Sequence, residues 1–322
     1  MRLVARSENS AEFRDGFCRL GAGPRSTWGR FLDLAPATEA EFWVAFDGNL
    51  PVGRVGANRF SGSSAIGAVG FFEAPDEKTA GLLLNAAESW LKGKGVKRVV
   101  GPVSLSAWFG YSFRVDAHET SFAWEPSNPR QYPEYFAKHG YVAAETYRSP
   151  AAQGLATYAE GVYDTVKRLS GEFFRFRPFD SANFLAKEVP LLHAISHACV
   201  KDSLLFEPIS LEFFREVFAP SVGKDHRYSH FVLNREGKEI GFFHAFADQG
   251  YLVFKSICIH PEYQGRGLST ALSALSAIKG VEDGIGHFVT GLVKTGNRSE
   301  SYAKKSTALW QHEYVLYQKM VA

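Results

Sequence analysis

The stretch that decides the fold is residues 251–277, YLVFKSICIHPEYQGRGLSTALSALSA. Its pattern predicts an apolar strand, a sharp turn and then a helix of small residues. The glycine turn between strand and helix, residues 264–269, reads QGRGLS. Glycine accepts positive φ without a Cβ penalty, and the free N–H groups of the first helical turn point at whatever lies beyond it. The stretch therefore predicts a binding site for a diphosphate.

The spacing of its glycines separates this turn from two common phosphate-binding motifs. It contains neither the G-x-x-x-x-G-K-[ST] spacing of a P-loop nor the G-x-G-x-x-G spacing of a Rossmann fold. Arg266, which stands between two glycines, is the cation expected to reach a phosphate. The structural alternative is an ordinary strand–turn–helix corner in which Arg266 is a solvated charge.

The glycine turn resembles the acyl-coenzyme A loop of the Gcn5-related N-acetyltransferases, [Q/R]-x-x-G-x-[G/A]. Gln264, Gly267 and Ser269 stand at the three marked positions, and Ser269 departs from the usual glycine or alanine. Ile259-His260-Pro261 also matches the V-x-P that ends the central strand of that family. The resemblance implies that coenzyme A contacts the end of that strand, the glycine turn and a later asparagine: Ile257, Cys258, Ile259, Gln264, Gly265, Arg266, Gly267, Leu268, Ser269 and Asn297. Asn297 equally suits the N-cap of a helix.

The two halves of the chain repeat one pattern. Residues 42–55 and 231–243 each read as two strands joined by a polar, glycine-containing turn, which is the pattern of a β-hairpin. Residues 74–83 and 260–269 then align without a gap, since each has a proline that ends a strand and a Gly-Leu pair that enters a helix. Self-similarity at this long period predicts a duplicated domain. Chance similarity of two hairpin–helix corners is the alternative.

The order of strands and helices predicts the fold class α+β. It is also the order of the acetyltransferase fold, so two tandem acetyltransferase-like domains are expected, each a mixed, mostly antiparallel sheet flanked by helices. We predict a degenerate acetyltransferase-like domain over residues 1–150, a linker over residues 151–171 and an acyl-coenzyme A-binding domain over residues 172–322. The chain has 322 residues, more than the size at which single cores stop growing, and this agrees with two domains.

The two halves differ in the residues that are expected to bind coenzyme A. In the first half Thr79 replaces the flexible residue of the glycine turn, and Leu83 replaces the small one. A leucine side chain would project where phosphate oxygens must approach. The first half is therefore expected to bind coenzyme A poorly or not at all, and to shape or cover the acceptor site.

The composition limits the partners of the protein. A hydrophobic content of 45% and a charged content of 22% are typical of globular proteins, and a formal net charge of +2 is too small to argue for nucleic acid or a membrane surface. No run of 18 apolar residues occurs, and the first residues lack the apolar segment of a signal peptide, so a cytoplasmic location is expected. The three cysteines lie far apart and fit no zinc or disulfide spacing.

Acyl transfer from a thioester to an amine needs a polarised carbonyl, a neutral amine and a thiolate that is protonated or tolerated, and it needs no covalent nucleophile. Backbone N–H groups near Cys258 and Ile259 suit the first task. His244 and Asp248, on the neighbouring strand, are the candidate bases. Tyr302 is the candidate acid, although it stands one residue away from the position at which the family places a tyrosine.

The sequence thus predicts an acyl-coenzyme A-dependent N-acyltransferase that moves an acetyl or other acyl group to an amine of a small molecule or peptide. Two other classes stay open: a non-catalytic acyl-coenzyme A-binding regulator, and an aminoacyl-tRNA-dependent transferase, which the near-neutral charge disfavours.

No nucleic acid, membrane or metal partner is expected. His193 and His197 stand at i,i+4 spacing, but no third metal ligand accompanies them. Four aromatic residues belong either to a pocket for an apolar substrate or to the core: Trp108, Phe109, Tyr111 and Trp124.

Overall fold

The structure is a computed structural model, and it describes residues 1–8, 11–20, 28–29, 32–33, 39–63, 65–201, 203, 205–218, 225–297 and 306–321. Within these ranges the chain forms fourteen β-strands. In chain order they are β1 (Arg2–Ala5), β2 (Ala40–Asp47), β3 (Leu50–Arg59), β4 (Ile66–Glu73), β5 (Arg98–Gly101), β6 (Phe113–Arg114), β7 (Val142–Gln153), β8 (Arg175–Pro178), β9 (His230–Leu233), β10 (Glu239–Asp248), β11 (Tyr251–Ile259), β12 (His287–Thr290), β13 (Val293–Lys294) and β14 (Thr307–Met320).

Helices flank these strands. Those with bounds fixed by the described residues are α1 (Ala11–Arg19), α2 (Glu77–Gly93), α3 (Tyr132–Lys138), α4 (Leu155–Gly171), α5 (Val189–Val200), α6 (Leu211–Phe218) and α7 (Leu268–Glu282). A π-helical turn, Phe184–Glu188, precedes α5, and Pro190 stands in the first turn of α5, where proline removes no helical hydrogen bond. None of the helices in the described ranges has both the length and the hydropathy needed to cross a membrane.

One mixed sheet runs through both halves of the chain. Its strand order is β1-β2-β3-β4-β5-β14-β7-β12-β11-β10-β9-β8, with β6 paired to β14 and β13 paired to β7 outside this path. Two neighbouring pairs are parallel, β4 with β5 and β11 with β12, and the other pairs are antiparallel. The structure therefore confirms the predicted α+β class and the mostly antiparallel sheet with flanking helices.

The predicted internal repeat is confirmed in the order of the elements. The first half contains β2, β3, β4, α2 and β5 in the order in which the second contains β9, β10, β11, α7 and β12. The two predicted hairpins are β2–β3 and β9–β10. In the first half β3 pairs with β4, and the next helix is α2. In the second half β10 pairs with β11, and the next α-helix is α7.

The two halves exchange strands at the centre of the sheet. β14 pairs with β7 along its length, from Thr307 opposite Gln153 to Gln318 opposite Val142. The end of β14 also pairs with β5 of the first half, with Tyr317 opposite Gly101. The end of β7 in turn pairs with β12 of the second half. A strand from residues 307–320 thus lies between two strands of the first half.

Residues 151–171, predicted as a linker, form the end of β7 and the whole of α4. α4 packs on α7, where the hydroxyls of Tyr158 and Ser273 lie 2.7 Å apart. Leu155 and Leu169 of α4 are buried in one cluster with Leu272 of α7. This segment is therefore part of the packed structure, and the domain boundaries at residues 150 and 172 stay a prediction.

Small side chains allow α7 to lie close to the sheet. Ala271, Ala274 and Ala277 are fully buried. Ser276 is also buried, and its hydroxyl donates a hydrogen bond to the carbonyl of Tyr228 at 2.6 Å. Because interiors are close-packed, a larger residue at these positions would move the helix and the glycine turn at its start away from β11.

Candidate active site

A cleft opens beside β11 in the second half. β11 and β12 run parallel from Tyr251 opposite His287 to Phe254 opposite Thr290, and they pair no further. The register between β10 and β11 shifts at this point, so Lys255 has no opposite residue and forms a β-bulge. Beyond the bulge, β13 pairs with β7 instead of β11. The separated strands enclose a cavity of about 280 Å³.

The backbone of β11 presents alternate residues to this cleft. The amide of His260 donates to Ile240 of β10 at 2.8 Å, which fixes the alternation of the antiparallel ladder. The backbone groups of Ile259 and Ile257 consequently point away from β10, whereas those of Cys258 point toward it. The carbonyl of Ile259 accepts hydrogen bonds from the thiol of Cys199 at 3.1 Å and from Gln264 Nε2 at 2.9 Å.

The glycine turn follows β11 through a short 3-10 helix, Pro261–Tyr263. Gly265 and Gly267 both adopt positive φ, 79° and 87°, which favours glycine at these two places. Gly267 is the N-cap residue of α7 and supplies no side chain to cap it, so the first N–H groups of α7 are not satisfied by a cap residue. Gln264 holds the end of β11 and thereby fixes the position of the turn.

Two arginines border the glycine turn. Arg266 lies within the turn, with its guanidinium 5.8 Å from the ring centre of Tyr263. Arg168 of α4 donates a hydrogen bond to the carbonyl of Arg266 at 3.1 Å. Sequence reasoning missed Arg168, because it lies on the helix predicted as a linker and reaches the turn only through the packing of α4 on α7.

The equivalent region of the first half is filled by its own chain. Asp76 caps α2 by accepting a hydrogen bond from the amide of Thr79 at 2.7 Å, and this bond lowers the pKa of the carboxyl group. Leu83 is fully buried. The amide of Phe71 donates to the hydroxyl of Ser104 at 3.1 Å, and the backbone of Val103 leaves no room for a side chain at Gly70. Phe71 is the counterpart of Ile257 in the repeat, so the position facing the cleft in the second half is occupied in the first.

A second and larger cavity, of about 1250 Å³, lies between the two halves. It begins at residues 255–258 of β11 and extends to Arg54 and Glu73 of the first half. Aromatic side chains from both halves form much of its wall, among them Trp108, Phe109, Tyr111, Trp124, Phe206 and Phe214. The four aromatic residues of the sequence analysis therefore line this cavity. Lys255 and Ser256 line both cavities, so the two are adjacent at the bulge of β11.

The predicted catalytic residues lie in different surroundings. His244 lines the large cavity, but it is buried beside Phe179 and Ser229, and burial lowers its pKa to about 3. Asp248, at the end of β10, accepts a hydrogen bond from the amide of Ala123 at 2.8 Å and is not a lining residue of either cavity. Tyr302 lies outside the described residues. The roles of all three stay predictions.

The structure adds two charged residues to the site, Lys255 and Glu125. Burial lowers the pKa of Lys255 to about 8, and the nearby Glu125 opposes this shift. The side chain of Glu125 is 1% exposed and accepts hydrogen bonds from His312 and from the hydroxyl of Tyr314. A lysine in the otherwise apolar run LVFKSICI was the sequence signal for this site. No group of His, Cys, Asp and Glu in the described ranges is arranged to hold a metal ion.

Asn297 lines the smaller cavity, and its proximity to pantetheine stays a prediction. Its amide donates to the carbonyl of Lys294 at 3.0 Å, at the end of the segment that follows β13. The cleft thus brings together Ile257 and Asn297, and the glycine turn follows the end of β11.

Comparison with known proteins agrees with this geometry. Residues 226–320 match the family model of the acetyltransferase (GNAT) domain. This match covers the glycine turn and α7, and residues 226–320 are accordingly similar to a GNAT domain. No curated protein matches the chain.

Solved structures extend the likeness to the whole chain. A tandem GNAT protein from the clavulanic acid biosynthesis pathway is similar at 12% identity and a TM-score of 0.53, over 100% of this chain and 98% of that one. A conserved protein of unknown function from Enterococcus faecalis has 11% identity and a TM-score of 0.58, over 100% and 73% of the two chains. A GCN5-related N-acetyltransferase from Kribbella flavida has 14% identity and a TM-score of 0.53, over 99% and 72%. At such identities the likeness shows the fold, which is that of tandem GNAT proteins.

Proposed function

We propose that this protein is an acyl-coenzyme A-dependent N-acyltransferase that binds coenzyme A in its second half and the acceptor amine between the halves. The observation that carries the proposal is the contrast between the two repeats. The second half has an open cleft and a helix N-terminus without a capping side chain, whereas the first half fills the cleft with Ser104 and caps the helix with Asp76. An acyl-coenzyme A molecule therefore fits one half only.

The proposed acyl transfer follows from the groups of the glycine turn and of the two adjacent cavities. We assign the diphosphate to the N–H groups of the glycine turn, with Arg266 supplying positive charge. The amide of Ile257 points into the cleft and suits the polarisation of a thioester carbonyl. The wall of the large cavity gives an amine a path to that carbonyl, and acetyl-coenzyme A is the co-substrate we expect.

The test is calorimetric binding of acetyl-coenzyme A to the wild type and to the double variant Gly265→Val/Gly267→Val. We expect a Kd in the micromolar range, about −8 kcal/mol, that the double variant loses. The matched control is Gly81→Ala in the first half, which leaves binding unchanged because this helical glycine has room for a Cβ. Equal binding by the wild type and the double variant would refute the proposal, and far-ultraviolet circular dichroism confirms that each variant is folded.

A non-catalytic acyl-coenzyme A-binding protein is the second candidate. Two observations favour it, because His244 is a weak base after burial and Asp248 is engaged by Ala123. Release of free thiol from acetyl-coenzyme A in the presence of a panel of amines separates the two functions. Thiol release that depends on the amine supports the transferase, and binding without release for every amine supports the regulator.

A further inference from the structure

The large cavity contains four charged lining residues, of which two neutralise each other. Arg54 is fully buried and forms a salt bridge with Glu73 at 2.6 Å. The guanidinium of Arg54 also donates a hydrogen bond to the carbonyl of Phe17 at 2.9 Å. This end of the cavity is therefore electrically balanced and offers no unpaired charge to a ligand.

Glu125, at the other end, is held in place by several donors. The hydroxyl of Tyr314 and the ring of His312 donate hydrogen bonds to its carboxylate, and the amide of Phe122 donates another at 3.1 Å. Arg114 lies 3.7 Å away as a more distant ion pair. The carboxylate is thus fixed at the cavity wall with a defined orientation.

Lys255 differs from the other three lining charges. Its ammonium group makes one hydrogen bond among the described residues, to the carbonyl of Trp124 at 3.5 Å, and forms no ion pair there. An ammonium group has three donors, and Lys255 is partly buried, where a charge without a counter-charge is costly. Lys255 stands on the bulge that borders both cavities, and in the proposed function an acyl group and its acceptor meet beside this bulge.

Lys255 and Glu125 together form a pair of opposite charges that do not contact each other. Glu125 acts on Lys255 through space, yet no ion pair joins them within the described part of the chain. A ligand that carries a positive and a negative group close together satisfies both. Beyond this pair the wall is aromatic, with the Trp108 ring 5.4 Å from that of Phe214 and perpendicular to it within 10°.

We propose that the acceptor is an α-amino acid with a large apolar side chain, whose carboxylate binds Lys255, whose amino group faces Glu125 and whose side chain lies on the aromatic wall. This inference rests on the proposed transferase function and names its substrate class. In the reaction the ammonium group first loses a proton to solvent water, and its nitrogen then bonds to the thioester carbonyl carbon. The C–S bond breaks, and the second proton lost by the nitrogen passes to the leaving thiolate. The products are an N-acyl amino acid and coenzyme A.

The test compares amino acids with the matching amines that lack the carboxylate. L-tryptophan, L-phenylalanine and L-leucine are assayed with acetyl-coenzyme A against tryptamine, phenethylamine and isoamylamine. We expect kcat/KM for at least one amino acid to exceed that of its amine by about 100-fold, the effect of one buried charge pair. Amines accepted as well as the amino acids would overturn the inference. So would the absence of amino acid turnover by a protein that binds acetyl-coenzyme A.

Variants of Lys255 separate a carboxylate-binding role from that of a proton acceptor. Lys255→Met is expected to abolish the preference for the amino acid, whereas Lys255→Arg retains most of it because arginine also pairs with a carboxylate. If Lys255 instead removes the proton, both variants lose activity with every acceptor and the wild-type rate rises through about pH 8, and this result would overturn the inference. The control is Lys92→Met, an exposed lysine on α2.

The same experiments distinguish this inference from the proposed function. Calorimetry with acetyl-coenzyme A is carried out on Lys255→Met as well as on the wild type. Binding by both, with loss of the amino acid preference in the variant, supports the inference. If the wild type does not bind acetyl-coenzyme A, the transferase function itself fails, and the acceptor class fails with it.

Discussion

His244 shows how its surroundings decide what a residue does. The side chain lies in the second half of the sheet, on the strand next to the cleft, where sequence reasoning predicts a base. The ring is, however, fully enclosed, and it stacks parallel to Phe179 at 6.1 Å. Its Nδ1 lies 3.0 Å from the hydroxyl of Ser229. A neutral imidazole in this position packs and orients its neighbours, and below neutral pH it resists protonation.

This burial makes stability depend on pH. The pKa of His244 falls from an ordinary 6.5 to about 3, and that of His230 to about 4, because burial disfavours the charged ring. Above pH 6.5 both residues are neutral in the folded and unfolded states. Below it the unfolded chain binds the protons first, so the free energy of unfolding falls by up to about 1.4 kcal/mol per pH unit for each histidine.

Urea unfolding at pH 7.5, 6 and 5 measures this slope. His244→Gln removes one of the two titrating rings and is expected to reduce the loss of stability between pH 6.5 and 5. The control is His287→Gln on β12, whose side chain is exposed. An identical slope in the wild type and His244→Gln would contradict the prediction.

Lys255 illustrates what a sequence reveals about a site and what it leaves open. A charged residue in an apolar strand is visible in the sequence, and so is the glycine turn ten residues later, because both are local. The placement of Lys255 and Glu125 in the wall of one cavity is not visible, since it depends on a long loop of the first half meeting β11. Residues that act within one turn are predictable, whereas residues that meet through tertiary packing are not.

Two helices with the same place in the repeat have different N-termini. α2 begins behind Asp76, whose carboxylate satisfies an amide of the first turn. α7 begins behind Gly267, which has no side chain. A carboxylate at the N-cap of a helix repels a diphosphate and stabilises the helix by itself, so a helix end adapted for stability is unsuited to binding an anion.

Asp76→Ala tests this difference between the helices. Loss of the cap is expected to lower the free energy of unfolding by about 1 kcal/mol, as for other N-cap substitutions. Binding of acetyl-coenzyme A is expected to stay unchanged, because the ligand belongs to the other half. Asp76→Asn retains the cap and serves as the control. Weaker binding of acetyl-coenzyme A by Asp76→Ala would show that the first half also takes part in binding, contrary to the prediction.

The strands of the two hairpins were predictable for the same reason that the glycine turn was. Alternating apolar residues and a polar turn specify a hairpin within about fifteen residues. The full length of β7 is not predictable from the sequence, because Pro150 in a strand interior argues against pairing. In the structure Pro150 lies between the residues of β7 that pair with β12 and those that pair with β13. Proline is tolerated where one neighbouring strand is interrupted.

At the scale of the molecule, the shared sheet joins the two halves into one structure. β14 completes the first half by pairing with β5, and β7 reaches the second half by pairing with β12. Neither exchange was predictable from the sequence, because the contacts join residues about 220 positions apart in one case and about 135 in the other, and no local pattern specifies them. The repeat predicted two similar folds, and the structure shows how they share strands.

The shared sheet predicts that the protein unfolds as one unit. Differential scanning calorimetry is expected to show one transition whose calorimetric and van't Hoff enthalpies agree. A fragment of residues 1–154 is expected to remain unfolded or to aggregate, because it lacks β14 and exposes the edges of β5 and β7. Adding a peptide of residues 307–320 serves as the control for this explanation. Two separate transitions, or a folded and monomeric fragment, would contradict it.

The position of β14 also has a consequence for synthesis on the ribosome. β5 ends at Gly101 and its partner β14 begins at Thr307. β5 therefore cannot pair with β14 until about two hundred more residues have been synthesised. At typical elongation rates of about 5–20 residues per second, this interval is roughly 10–40 s. During it the edges of β5 and β7 are open to pairing with other nascent chains. A protein built in this way is expected to depend on chaperones during translation more than two independently folding domains of the same size.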